Sequence, residues 1–375
     1  MKFFACFSGI IVGVLAAGAV SSLALSLDKN EGELYSKTKI IGLDKIVGLE
    51  YFKESEMSDR VEGLYNGYVA ALDNPNTMYL TIDEKNNYLK SQKGISQGVG
   101  IQFTWGITNQ YLVITEVQPD SPASLAGIEI GDRIIKLDDI LAMGSNEIDI
   151  YNKLTTTTPE SILYTIQKSD GSITEIPLAI SEVLIPNVET EILDNDIEYI
   201  KPNKFKDWSI ESDKAIIDLR YVSGVTLDEA FWLCDLFLDE GEEVFTTIDK
   251  YDTQKLYKAT PSKFEKEVVI LTNNSTRGAI ESAVARLKPL ENIYIVGDKT
   301  DGSGMASELI ELVDGSALLI ATKQISIDGQ IVSASEIEPE YDIKQSEPYT
   351  LELVTTGRVN LAKDDQLQKA IELLN

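Results

Sequence analysis

Apolar positions recur along this chain with different periods, and each change of period marks a division. After Lys2, the run from Phe3 to Leu27 carries no charged residue and is long enough to span a bilayer as a helix. From Thr38 to Lys90 the spacing turns helical. Ile40, Ile41, Leu43, Ile46, Val47 and Leu49 share one face, and Val61, Leu64, Tyr65, Tyr68, Val69 and Leu72 share another. The first helix is expected to end near Gly48, and Asp73-Asn74-Pro75-Asn76 signals a turn after the second. Residues from about 92 to 182 read as a small β-rich module: Tyr111 to Val117 alternates as a strand, and Ser121 to Gly127 forms a short capped helix with a glycine stop. From Val183 to Ile343 strand and helix alternate. The strand patterns are Lys214 to Val222, Glu267 to Asn274 and Ile293 to Gly297, separated by helices at Leu227 to Leu238 and Gly278 to Lys288. Such repeats predict parallel pairing with right-handed crossovers. Hairpin signals at Asp314-Gly315 and Asp328-Gly329 add antiparallel strands, and Asp364 to Leu374 is a final amphipathic helix.

The expected fold class is therefore mixed α/β and α+β. Its segments are a transmembrane signal anchor (1–27), a helical region (28–91), the β-rich module (92–182) and an α/β core (183–375). Lys2 precedes the apolar run and Asp28, Glu31 and Glu33 follow it. The positive-inside rule then puts the N-terminus in the cytoplasm and the bulk of a single-pass protein outside the cell membrane. A cleaved signal peptide, with Ala17-Gly18-Ala19 as its cleavage site, is the alternative and would give a secreted chain.

Charge and rare residue types remove whole classes of chemistry. The formal net charge of −28 argues against a nucleic-acid partner, whose phosphates must be neutralised. The chain has no histidine, which excludes Ser-His-Asp and Cys-His catalysis and removes the commonest zinc ligand. No metal, nucleotide or haem motif stands out, so no cofactor is expected. Cys6 lies in the apolar run and Cys234 in a helical pattern; no disulfide between them is expected, and Cys234 reads as a small core residue.

Two stretches carry a family resemblance. The segment Glu62 to Tyr88, with Leu72, Asp73, Pro75, Tyr79, Leu80 and Thr81, and the segment LTNNSTRGAIESAVARLKPLENIYIVGDKTDGSGMAS from Leu271 to Ser307 resemble the C-terminal processing (tail-specific) serine peptidases. The module's Ser121-Pro122-Ala123, Ala126-Gly127 and Gly131-Asp132 resemble a bacterial PDZ domain. A PDZ domain implies docking of a peptide C-terminus as an added strand beside a glycine-bearing loop; here that is Gly98, Val99, Gly100 and Ile101, with Phe103 as apolar surface.

The peptidase resemblance implies a serine–lysine dyad, a glutamine and an oxyanion turn. Laid on this sequence without a gap, the serine falls on Gly278, the lysine on Ser303 and the glutamine on Ser307. The oxyanion turn drifts to Tyr221-Val222-Ser223-Gly224-Val225. A serine hydroxyl attacks an amide only when a neutral base takes its proton, and neither group stands at its position. Asp218-Leu219-Arg220, Glu281, Gly297, Thr300, Gly302 and Gly304 are retained around them. The expectation is a pseudopeptidase whose partners are peptide or protein C-termini, the membrane through its N-terminal helix, and a genuine active peptidase. Two alternatives stay open. One is an active serine endopeptidase using a displaced dyad, Ser303 with Lys299; the other is a structural envelope protein.

Overall fold

The computed structural model describes residues 32–106, 110–143, 150, 153–154, 161–261, 264–332, 335–358 and 361–375. The proposed anchor, and Cys6 with it, lies outside the described residues. Among those residues no helix is long and apolar enough to cross a membrane. Of the described residues, 32–72 belong to one compact unit and those from Asp73 onward to a second. In the first, helices α1 (Gly32–Glu50) and α2 (Met57–Ala70) are joined by an ion pair, Arg60 Nε to Asp44 Oδ1 at 2.7 Å. Helix α1 runs past the expected stop at Gly48. Much of the apolar pattern faces outward: Ile41, Leu43, Leu49 and Tyr68 are exposed.

The second unit opens with a core strand. Met78–Leu80 pairs antiparallel with Ala317–Leu319, so the chain enters the core before it builds the β-rich module. Helix α3 (Ile82–Ser91) follows, with Thr81 and Glu84 closing a reciprocal capping box. The module is an insertion, and its entry and exit strands, Ile95–Gly98 and Ser181–Leu184, pair antiparallel with each other. Beyond them the sheet order is Ile101–Trp105, Leu112–Val117, Arg133–Leu137, Ser161–Gln167, Ile173–Ala179. Ile101–Trp105 is therefore an edge. Leu112, Ile114, Ile134, Leu137, Ile162, Tyr164 and Ile166 fill the module's interior. Helix α4 (Pro122–Leu125) is capped as its sequence foretells, Ser121 Oγ accepting from Ser124 N at 3.2 Å.

The core sheet runs Val188–Ile192, Ile197–Pro202, Lys214–Asp218, Glu267–Thr272, Ile293–Gly297, Tyr341–Asp342, parallel from the second strand onward. Its central strands are nearly uninterrupted apolar runs because both faces are covered. Alternation divides them: Ile217, Val268, Ile270 and Ile295 pack with helices α5 (Leu227–Asp235) and α6 (Ala279–Leu287). Ile216, Val269, Leu271 and Val296 face the opposite side with Leu367, Ala370 and Leu374. Cys234 is buried among the α5 core residues, as expected. A second, antiparallel sheet is centred on Ala317–Ile327, with turns at both expected Asp-Gly pairs.

Two C-terminal helices complete the unit. Helix α7 (Glu347–Thr356), absent from the sequence reading, ends at Gly357 in the left-handed conformation, φ 68°. Helix α8 (Asp365–Leu374) is capped by Asp364, whose carboxylate also meets the buried Arg220 at 2.9 Å. Arg220 pairs with Asp218 at 2.6 Å as well, so one guanidinium ties a sheet strand to the C-terminal helix. Gly357 is where α7 seats on the β-rich module: a Cβ there would lie 2.1 Å from the Ile114 carbonyl oxygen. Gly357→Ala is expected to destabilise this unit by about 1–3 kcal/mol, from the forbidden conformation and the clash together; thermal unfolding of the variant against wild type measures it.

Candidate functional site

Strand Glu267–Thr272 ends in the turn Asn273–Arg277, which feeds α6, and the crevice of such a sheet lies at these carboxyl ends. The turn is pinned from inside. Asn273 Oδ1 accepts from the N–H groups of Tyr221 (3.0 Å) and Ser275 (3.1 Å), and Thr276 Oγ donates to Leu219 O at 2.8 Å. Arg277 N donates to Val222 O at 3.1 Å. The sequence-predicted oxyanion turn, Tyr221 to Val225, is thus stitched to the loop that leads into α6.

Gly278 caps α6 with φ 83° and ψ −146°, a region that residues with a Cβ avoid at a cost of about 1–3 kcal/mol. Its N–H donates to Glu281 Oε2 at 3.0 Å. The same carboxylate accepts from Gly302 N (2.6 Å), Ser303 N (3.0 Å) and Ser303 Oγ (3.3 Å). Gly278 and Ser303, far apart in sequence, are therefore held side by side through one buried side chain. Asn76 closes the arrangement. Its Nδ2 donates to Ser303 O at 2.8 Å, its carbonyl accepts from Ser307 Oγ at 2.8 Å, and its Oδ1 would stand 3.4 Å from a Cβ at Gly278. Gly278, Ser303 and Ser307, the positions to which the resemblance assigns a serine, a lysine and a glutamine, are thus brought together through Glu281 and Asn76. Gly278 itself is buried.

The sequence marks Asn76 only as a turn residue, and nothing in its local pattern points to a partner more than two hundred positions away. The displaced-dyad alternative also meets its geometry here. Lys299 Nζ pairs with Glu336 at 2.6 Å, and that hydrogen bond, with the carboxylate charge, pushes the ammonium pKa up. A lysine so held keeps its proton and is no base for Ser303.

Gly224 does not join this group. The turn Tyr221 to Val225 lines a separate cavity of about 170 Å³ together with Asn203, Lys204 and Glu229. Gly98, Val99, Gly100, Ile101 and Phe103 all line a groove of about 420 Å³ beside the module's edge strand, with Ile162, Tyr164 and Ile180 as apolar floor. The Val99 and Gly100 carbonyls are engaged by Ala123 N and Gln118 N, at 3.0 and 2.8 Å. Among the described residues the Val99 and Gly100 N–H groups have no hydrogen-bond acceptor. Asn203 and Lys204 line the groove as well as the smaller cavity, a shared wall that the sequence reading did not single out.

Similarity to known proteins follows the same division. The model of peptidase family S41 matches residues 203–343, and a PDZ domain model matches residues 113–168. The chain is 25% identical over 351 residues to the carboxy-terminal processing protease CtpA of Bacillus subtilis, covering 87% of this chain and 75% of that protein. It is 22% identical over 391 residues to a probable CtpA-like serine protease of Staphylococcus aureus, covering 98% and 78%. Among solved structures, a putative S41 protease from Bacteroides fragilis superposes with a TM-score of 0.57 at 18% identity, over 88% of this chain and 96% of that one; this likeness concerns the fold.

Burial pushes the Glu281 pKa up against the lowering effect of its N–H donors. The native state then binds the proton more tightly than the unfolded chain, and stability falls as pH rises from the ordinary glutamate value of 4.5 through the raised one. Measured by denaturant titration, wild type should lose stability relative to Glu281→Gln as pH increases across that window.

Proposed function

We infer the function from one premise: the chain belongs to the C-terminal processing peptidase family, with a PDZ module set into its S41-type core. We propose that it is a non-catalytic member, held at a membrane by the run Phe3–Leu27, that binds polypeptide C-termini in the groove of its PDZ module. The observation that carries this reading is the substituted centre. Gly278 offers no hydroxyl, is buried, and has a backbone conformation that disfavours serine. Ser303 supplies a hydroxyl, given to Glu281, where the family's lysine would stand. In a serine protease, losing the nucleophile–base unit costs about 10⁶-fold in rate, so a chain without either group is expected to bind and not to cut.

The groove supports the binding half. An edge strand, a loop with free N–H groups and an apolar floor are the parts a peptide tail needs to dock as an added strand. The active-endopeptidase alternative finds no base at Lys299.

Incubating the full chain with an unstructured substrate protein should yield no fragments; fragments that disappear with Ser303→Ala would overturn the non-catalytic reading. Docking is tested at Gly98, where a Cβ meets nothing within 4 Å, whereas at Gly100 it would strike Ser121 at 2.2 Å. Gly98→Leu should leave thermal stability near wild type and weaken binding of C-terminal peptides by roughly tenfold or more. Unchanged binding would place the docking surface elsewhere.

A further inference from the structure

The wall shared by the groove and the smaller cavity carries a cation whose charge is not committed. Lys201, three residues earlier, pairs with Glu116 at 3.2 Å and lies 3.7 Å from Glu189. Lys204 lines both cavities, and among the described residues it makes no salt bridge. Its backbone is fixed, the N–H donating to Asn187 O at 2.8 Å and the carbonyl accepting from Trp208 Nε1 at 2.7 Å. The nearby acid, Glu229, is already engaged. Its Oε2 accepts from Thr226 N and Oγ, each at 3.0 Å, and its Oε1 from Phe205 N at 3.4 Å. Partial burial pushes the Lys204 pKa down, only partly offset by Glu229. A half-buried ammonium without a committed partner gains most from an anion that arrives with a ligand.

Lys204 lines the same groove as the loop Gly98–Ile101, whose Val99 and Gly100 N–H groups are open. Lys204 and a loop with open N–H groups therefore line one groove, in a chain whose net charge is −28. We propose that Lys204 recognises the free carboxylate at the end of a bound polypeptide, acting with the Gly98–Ile101 loop on the same terminal group. The ligand is a polypeptide tail with an apolar last residue, suited to the Phe103, Ile162 and Tyr164 floor, and a free C-terminus. This assignment rests on the peptide-docking reading above and adds the group that selects free ends over internal or amidated segments.

The test uses a panel of fluorescent decapeptides ending in each apolar residue type, made as free acids and as C-terminal amides. They are titrated against the full chain, Lys204→Met and Lys204→Arg. Wild type should favour the acid by roughly tenfold or more, the scale of a charge-assisted hydrogen bond. Lys204→Met should reduce that preference to roughly twofold and Lys204→Arg should keep most of it, with all three melting alike. If wild type binds acid and amide equally, or Lys204→Met retains the wild-type preference, docking stands and the Lys204 assignment falls. If wild type binds neither form, the docking reading fails and takes this assignment with it.

Discussion

The buried carboxylate of Glu281 is the constraint on which the centre of this molecule depends. It gathers N–H groups from the cap of α6 and from the turn after the Ile293–Gly297 strand. Placed in the first turn of a helix, an acid is favoured by the helix dipole and by the orphan amides there. Burial opposes its charge, and the converging donors offset that opposition. The result is a crossing of two loops held together by hydrogen bonds to one buried carboxylate. A framework maintained by backbone hydrogen bonds does not require a catalytic side chain to stay in place.

The same separation between framework and chemistry recurs in the PDZ module. Its interior is a closed apolar core, while the groove is made from the rim: an edge strand, a loop and a wall contributed by the segment Asn203–Lys204 of the core. Because Met78–Leu80 already belongs to the antiparallel sheet centred on Ala317–Ile327, the module is tethered at both ends, and α7 seats against it through Gly357. Groove and smaller cavity thus share residues because the insertion is held against the core from which it departs.

Much of the architecture was legible in the pattern of residue types. The parallel strands announced themselves as apolar runs because both of their faces are covered. The Asp-Gly pairs marked hairpins because their backbone conformations favour those residues. The convergence of Gly278, Ser303 and Ser307 was legible through resemblance, since spacing between a strand-end turn and the next strand-end turn is fixed by the fold. Helix α7 was not legible: its sequence, EPYTLELVTT, is rich in β-branched residues, and its placement against the module outweighs weak propensity. The exposed faces of Ile41 and Leu49 show the converse, a helical period present with little buried on it.

The sequence by itself determined the mixed fold and the β-rich insertion, because these follow from local periods, and the family resemblance it carries put Gly278, Ser303 and Ser307 where a serine, a lysine and a glutamine are expected. Only the tertiary structure decided that Asn76 joins Ser303 and Ser307, that Lys299 pairs with Glu336, and that Lys204 stands in the wall of the groove. Those are contacts between residues tens to hundreds of positions apart. No local period encodes them, because they arise from the packing of elements and not from the order of residues within one.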